Sequence, residues 1–300
     1  MTPRADRLRG HGAMVLFALL ISGSFTLGDM AAPHIDPAAL TALRFLIAAL
    51  VVGAVVWPRI RPAHLRAAWR YPILGGLMAA YFILMFEALR LTDPVSTGAL
   101  FTLTPLMSAG FGWLLLRQIT TPLTALSLLA AGLGALWVIF RADLGALLRL
   151  GLGPGEILFL IGCGCHALYT PLARLWKRGV PLPVYTLAVV LGGLAVTLAY
   201  GAGRLAATDW AALPPIAWAT ALYLGVVTTA VTFFLVQFAT LRLPAGKVMA
   251  YGYLVPSFVI LWEGLLGHGW VAGQVWLGVL GTALPLLLLL GDDPERRDSA

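Results

Sequence analysis

Apolar runs of about 20 residues follow one another from Ala13 to Leu290, broken only by short polar stretches. A run of that length crosses the hydrocarbon of a bilayer as a helix, and with short connections this chain has room for about ten of them. The approximate spans are 12–30, 38–57, 72–89, 95–116 and 121–140, followed by 154–173, 182–201, 212–236, 245–264 and 271–290. In lipid only helices and closed barrels satisfy their backbone, and these runs lack the alternating polarity of barrel strands. An all-α polytopic membrane protein is expected. Composition agrees, with 60% hydrophobic and only 11% charged residues, where a soluble domain carries about 25% charged. A soluble enzyme or binding domain is excluded at this level.

The breaks make chemical sense. Asp93-Pro94 and Leu243-Pro244 place proline where a first helical turn has no use for its missing N–H. Trp57, Trp69, Tyr71, Trp176, Trp210, Trp262 and Trp270 fall near span ends, as interfacial anchors do. Arg4, Arg7 and Arg9 before the first run imitate a signal peptide, but no small-residue cleavage site follows, so that run reads as a retained helix. Cys163 and Cys165 lie inside a span, where neither a disulfide framework nor a metal finger is expected.

Charge sets the orientation. The N-terminus, the even-numbered connections and the C-terminus hold fifteen Lys and Arg, the odd-numbered connections hold Arg90, Arg141, Arg149 and Arg204, and Arg44 lies within the second span. Both termini are therefore expected on the cytoplasmic side. The net charge of +7 is spread along the chain rather than clustered, which argues against nucleic acid as a partner.

An internal repeat follows from two six-residue segments. Phe86-Glu87-Ala88-Leu89-Arg90-Leu91 ends the third span and Phe238-Ala239-Thr240-Leu241-Arg242-Leu243 the eighth, with Pro105 and Pro256 in the spans that come next. Five spans separate the copies, and because five is odd the second copy enters the bilayer upside down, the inverted repeat of secondary transporters. The expected organisation is a cytoplasmic N-terminus 1–11, a first five-helix repeat 12–140, a periplasmic connection 141–153, a second five-helix repeat 154–290 and a cytoplasmic tail 291–300.

With Ser22-Gly23-Ser24, Leu43-Arg44-Phe45, Thr104-Pro105-Leu106, Gly155-Glu156, His166-Ala167-Leu168-Tyr169 and Val255-Pro256 followed by Glu263, the chain resembles the EamA-type transporters of the drug/metabolite transporter superfamily, and among them the bacterial amino-acid and metabolite exporters. The resemblance implies ten transmembrane helices in two inverted five-helix repeats around a central cavity. It also implies export of small amphipathic metabolites by alternating access. Relatives often carry tryptophan where Ser22 and His166 stand here, which implies a roomier, more polar cavity with little preference for aromatic substrates.

Several side chains are candidates for that cavity. His166 shares a helix face with Cys163, Tyr169 and Thr170, and reads equally as packing or as lining. Tyr81, Phe82, Phe101, Phe234, Gln237, Tyr251 and Tyr253 populate the other pathway helices, since a small-ligand site needs an apolar wall with a few polar groups. Arg44 needs a partner in the membrane, and Asp29 and Glu87 are the carboxylates at similar depth; the group reads as an outer gate or as a locked ion pair. Pro105 and Pro256 are candidate hinges. Lys247 and Glu156 at helix ends read as solvent-facing.

No metal and no cofactor is expected, and no enzyme, because no catalytic pair or metal-ligand motif is evident. The expected partners are small-molecule substrates and the lipid bilayer, with a monomer sufficient. A proton-coupled multidrug or quaternary-amine exporter, a channel and an intramembrane enzyme stand as alternatives. A periplasm-active reporter fused after Leu290 should stay silent and one near Gly203 should be active. The opposite pattern overturns the orientation.

Overall fold

The computed structural model describes residues 3–117, 122–145, 152–240, 242–243, 248 and 251–291. Among these the chain is helical with no strand, and seven helical stretches are long and apolar enough to cross a membrane. The helices are α1 (Pro3–Ala31), α2 (Pro37–Val56), α3 (Arg70–Ala88), α4 (Pro94–Phe101), α5 (Thr104–Leu116) and α6 (Pro122–Ile139). They continue as α7 (Pro154–Trp176), α8 (Leu182–Ala207), α9 (Pro215–Leu222), α10 (Thr232–Thr240), α11 (Val255–Leu265) and α12 (Val275–Gly291).

Local chemistry sets the helix starts. Asp36 caps α2 by accepting from the Ala38 N–H at 2.8 Å, and Asp93 caps α4 by accepting from the Ser96 N–H at 2.9 Å. In both, proline takes the first helical position, where a missing donor costs nothing. Pro244 and Lys247 lie outside the described residues. Helix α1 begins well before the apolar run, because Asp6 in its first turn suits the positive helix end and binds Arg242 of the chain following α10 at 3.0 Å.

Two spans read from sequence as continuous are broken. Between α4 and α5 the helix tightens at Thr102 and Leu103, whose N–H groups reach Ala99 and Leu100 carbonyls at 3.0 Å. Ahead of α11, Tyr251–Leu254 form a 3-10 turn. Pro105 and Pro256 therefore stand in the first turn of a new helix rather than in mid-helix, since proline there forfeits no bond. A third departure is a wide π stretch, Tyr223–Val231, joining α9 to α10. Its Val226, Val227, Thr228, Thr229 and Val231 are β-branched, which crowds a normal α turn.

The packing crosses between the halves. Helix α1 lies against α10 and α11, α7 against α3 and α5, α2 against α8, α6 against α12, and α4 against α11; α3 also packs on α8, and the π stretch on α2. The Arg90 guanidinium donates to the Ala32 and Ile35 carbonyls just beyond one end of α1, while Arg242 binds Asp6 at the other. The two copies of the six-residue motif thus stand at opposite ends of one helix.

Of the expected anchors, Trp57, Trp69 and Trp270 are exposed. Tyr71 and Trp262 turn inward: the Tyr71 hydroxyl donates to the His64 carbonyl at 2.7 Å, and the Trp262 indole N–H donates to the Leu19 carbonyl and the Ser22 hydroxyl. Glu156 accepts from the Thr92 hydroxyl instead of only meeting solvent. Cys163 and Cys165 are free thiols.

The tightest crossing is that of α3 and α8, where a Cβ on Gly75 would strike the backbone of Gly193 and Val189, and one on Gly192 the backbone at Tyr71. Gly134 meets the backbone of Gly278 and Gly281 in the same way, whereas Gly132 and Gly164 have room. Gly75→Leu is expected to lower stability by about 1–3 kcal/mol through forced separation of the helices, and Gly76→Ala, whose Cβ meets only the Val196 methyls at 3.6 and 3.7 Å, should cost little. Thermal unfolding of the purified protein checks this; equal melting of the two variants overturns the close-packing account.

Candidate functional site

A ring cluster occupies the region where α1, α3, α4 and α7 meet. The Tyr81 ring centroid lies 4.9 Å from that of His166, 4.9 Å from Phe82, 6.2 Å from Phe101 and 5.9 Å from Phe159. His166 in turn lies 5.7 Å from Phe101 and 6.4 Å from Tyr169, and Phe25 of α1 closes the group at 5.9 Å from both Phe101 and Phe159. Tyr81 and Phe82 are buried, whereas Phe101, His166 and Tyr169 keep partial exposure. Most contacts are tilted or edge-on, which suits the ring quadrupoles.

The His166 side chain reports an unfinished environment. Among the described residues its Nδ1 is fully buried and has no hydrogen-bond partner, a condition that costs about 1–3 kcal/mol when nothing replaces water. Among the same residues the Ser24 and Thr26 hydroxyls of α1 are buried without partners as well.

Arg44 continues the cluster on the α2 side. Its guanidinium carbon sits 3.5 Å from the centroid of Phe82, and Phe82 meets Phe45 at 5.9 Å. Placing arginine in mid-membrane costs about 2.5–3.5 kcal/mol on insertion scales, and a desolvated cation over a ring regains about 2 kcal/mol. The ring covers only one face; among the described residues Nε and Nη1 are buried without partners.

The structure does not bring Arg44, Asp29 and Glu87 together. Glu87 meets Arg90 at 3.4 Å and Arg204 at 3.5 Å, and Arg204 also reaches Asp36 at 3.7 Å. Asp29 faces the charges of Glu263, His268 and Asp93. That second group is paired as well, with His268 at 3.0 Å from Glu263 and Arg141 at 3.0 Å from Asp93. These pairs stand at the end of the bundle where α1 and α3 finish. There a surface depression of about 410 Å³ opens beside Asp36 and Arg204, and one of about 330 Å³ between Asp93, Arg141, Glu263 and His268.

The remaining candidates lie elsewhere. Tyr251 and Tyr253 are buried in a separate cluster with Met14, Leu243 and Val248, where the Tyr251 hydroxyl shares a 2.7 Å hydrogen bond with His11 Nδ1. Phe234 is 65% exposed and rests against Phe238, so it does not join the rings around His166. The Gln237 side chain lies outside the described residues. Sequence reasoning missed Phe25, Phe159 and Trp262. Phe159 was signalled, since 159, 163 and 166 share one helix face; nothing local announced that Trp262 would turn inward to Ser22.

Phe101 links the cluster to the backbone. It ends α4 at the break, and its ring contacts His166. One turn earlier, a Cβ on Gly98 would touch Val259 at 3.0 Å and the Pro256 Cα at 3.8 Å, so the first-half break lies directly against the start of α11.

The sequence model of the EamA-like transporter family matches residues 8–140 and again 153–291. The "Uncharacterized transporter YyaM" of Bacillus subtilis (strain 168) is 28% identical over 185 residues, 60% of this chain and 61% of that protein's length. A solved structure described only as "Crystal structure of protein" superposes with a TM-score of 0.67 at 20% identity, over 95% of each chain, which shows a shared fold.

Replacing His166 with phenylalanine keeps the ring contacts and removes the unpartnered nitrogen. The expected result is a melting temperature equal to or above that of the unaltered protein, while His166→Ala loses about 3 kcal/mol by opening a cavity. A phenylalanine variant that melts as low as the alanine variant overturns the placement of Nδ1.

Proposed function

The chain belongs to the EamA-like transporter family, and from that premise we propose that it is a secondary carrier of the bacterial inner membrane that exports small metabolites, chiefly amino acids of broad kind, by alternating access. The observation that carries this reading is the paired helix break. Both breaks put proline in the first turn of the following helix, Gly98 one turn before the first leaves room only for a close approach to Val259 and Pro256 of α11, and Phe101 at the first break rests on His166. A change at the break therefore moves a wall of the ring cluster. A carrier needs that coupling between a bound solute and a hinge.

Two inverted five-helix repeats fit the packing. Exchange of the first-half helices with their second-half counterparts turns the contacts of α1 with α10 and α11 into those of α7 with α3 and α5. It turns α3 on α8 into the π stretch on α2, and leaves the α2–α8 and α6–α12 pairs as they are. The opposite placement of Arg90 and Arg242 along α1 supports the same relation. The fifteen-to-four distribution of Lys and Arg supports cytoplasmic termini.

Broad selectivity follows from how the rings are used. Tyr81 already contacts four neighbouring rings, and the Trp262 indole is tied to Leu19 and Ser22. Rings already held by protein neighbours support little preference for aromatic solutes. Proteoliposomes holding the purified protein should show saturable counterflow of threonine and methionine, comparable flux of tryptophan, and no accumulation driven by an imposed pH gradient. Flux that rises linearly with concentration overturns the carrier reading in favour of a channel. Tryptophan exclusivity overturns the broad selectivity, and pH-driven accumulation overturns passive exchange.

A further inference from the structure

Two buried arginines are treated differently by this fold. Arg70, at the start of α3, donates to the backbone carbonyls of Arg66, Ala67 and Trp176. Arg44 is 3% exposed, about 10 Å along α2 at 1.5 Å per residue, and among the described residues it has no hydrogen bond and no ion pair. Carboxylates nearer the helix ends are engaged with other partners, Glu87 with Arg90 and Arg204, and Asp36 with Arg204. Phe82 covers one flat face of the guanidinium and leaves its edge unused. That edge is a fork of parallel N–H donors, the geometry that binds a carboxylate through two oxygens.

We propose that Arg44 is the receptor for the substrate's carboxylate, so that the carrier selects solutes bearing a carboxylate and rejects purely cationic ones. The inference rests on the transporter reading given above and names the group that reading leaves unassigned. The ring sequence gives its geometry. Arg44 lies on Phe82, Phe82 is 4.9 Å from Tyr81, and Tyr81 is 4.9 Å from His166. The line of rings from Arg44 therefore leads through Phe82, Tyr81 and His166 to Phe101, the residue at the α4 break. Arg44 is a buried fixed positive charge, so a quaternary amine without an anionic group meets repulsion where an amino acid meets its counter-charge. Asp29 faces Glu263, His268 and Asp93, and is the carboxylate of the chain against which the substrate's must be distinguished.

The test compares L-leucine, L-leucinamide and isoamylamine as competitors of labelled leucine counterflow in proteoliposomes of the unaltered protein, Arg44→Gln and Arg44→Lys. In the unaltered protein leucine should compete about ten-fold or more better than the two compounds lacking a carboxylate, as a charge-assisted bidentate contact requires. Arg44→Gln should lose about ten-fold or more of leucine counterflow and compete alike with leucine and leucinamide, with Arg44→Lys keeping part of the preference. Thermal shift of the same three proteins, with leucine against leucinamide, reads binding without transport. Equal competition by leucinamide in the unaltered protein overturns the proposal even if Arg44→Gln fails to fold. A folded Arg44→Gln that keeps the ten-fold preference also overturns it. The transporter reading fails differently, through the absence of any saturable counterflow or thermal shift in the unaltered protein.

Discussion

A chain that passes most of its length through hydrocarbon has no water to complete its backbone, so each break in a helix must be answered from within the protein. This requirement organises the bundle. The α4–α5 break is closed by short local bonds from Thr102 and Leu103 and by the Thr102 hydroxyl on the Ala99 carbonyl at 2.7 Å, and it is buried against α11 and α7. The threonines around the π stretch do the same work, with the Thr228 and Thr229 hydroxyls both donating to the Leu224 carbonyl. Irregular backbone is concentrated where helices of both halves surround it. Arg44 and His166 are side chains for which that closure is incomplete, and both adjoin one ring cluster.

The sequence exposed the parts of this design that depend on length and on single residues. Runs of about 20 apolar residues mark the spans, and Asp36-Pro37 and Asp93-Pro94 mark helix starts by their own hydrogen-bonding chemistry. The helix breaks were half visible. Proline announces a disturbance, but whether the helix bends through it or restarts beneath it depends on neighbours such as Val259 and Gly98, which are distant in sequence. The π stretch offered only a run of β-branched residues, a weak signal in chains where such residues are common.

Among the candidate site residues, those on α3, α4 and α7 share one cluster because these helices pack together, and periodicity places Tyr81, His166 and Phe159 on their inner faces. Depth arithmetic alone grouped Asp29, Arg44 and Glu87. Depth fixes a coordinate along the helix but not around it, and rotation sends Glu87 to Arg204 on α8 and Arg44 to Phe82. The same limit separates Tyr251 and Tyr253 from the rings of α3, since the 3-10 turn ahead of α11 changes their bearing.

The crossing of α1 has a consequence for the order of assembly. It is synthesised ahead of its partners, since its contacts with Tyr223, Arg242 and Trp262 are 203, 236 and 240 residues away in sequence. Until those segments have been translated and inserted, α1 stands in the bilayer without the Tyr223 hydroxyl and Trp262 indole that meet its Leu20 and Leu19 carbonyls. Helix α1 thus waits for segments made much later, and a chain that stops after α8 presents an unfinished α1 face to the membrane's quality-control machinery. The interval between synthesis of the first helix and arrival of its partners is a window in which incomplete copies can be told from finished ones.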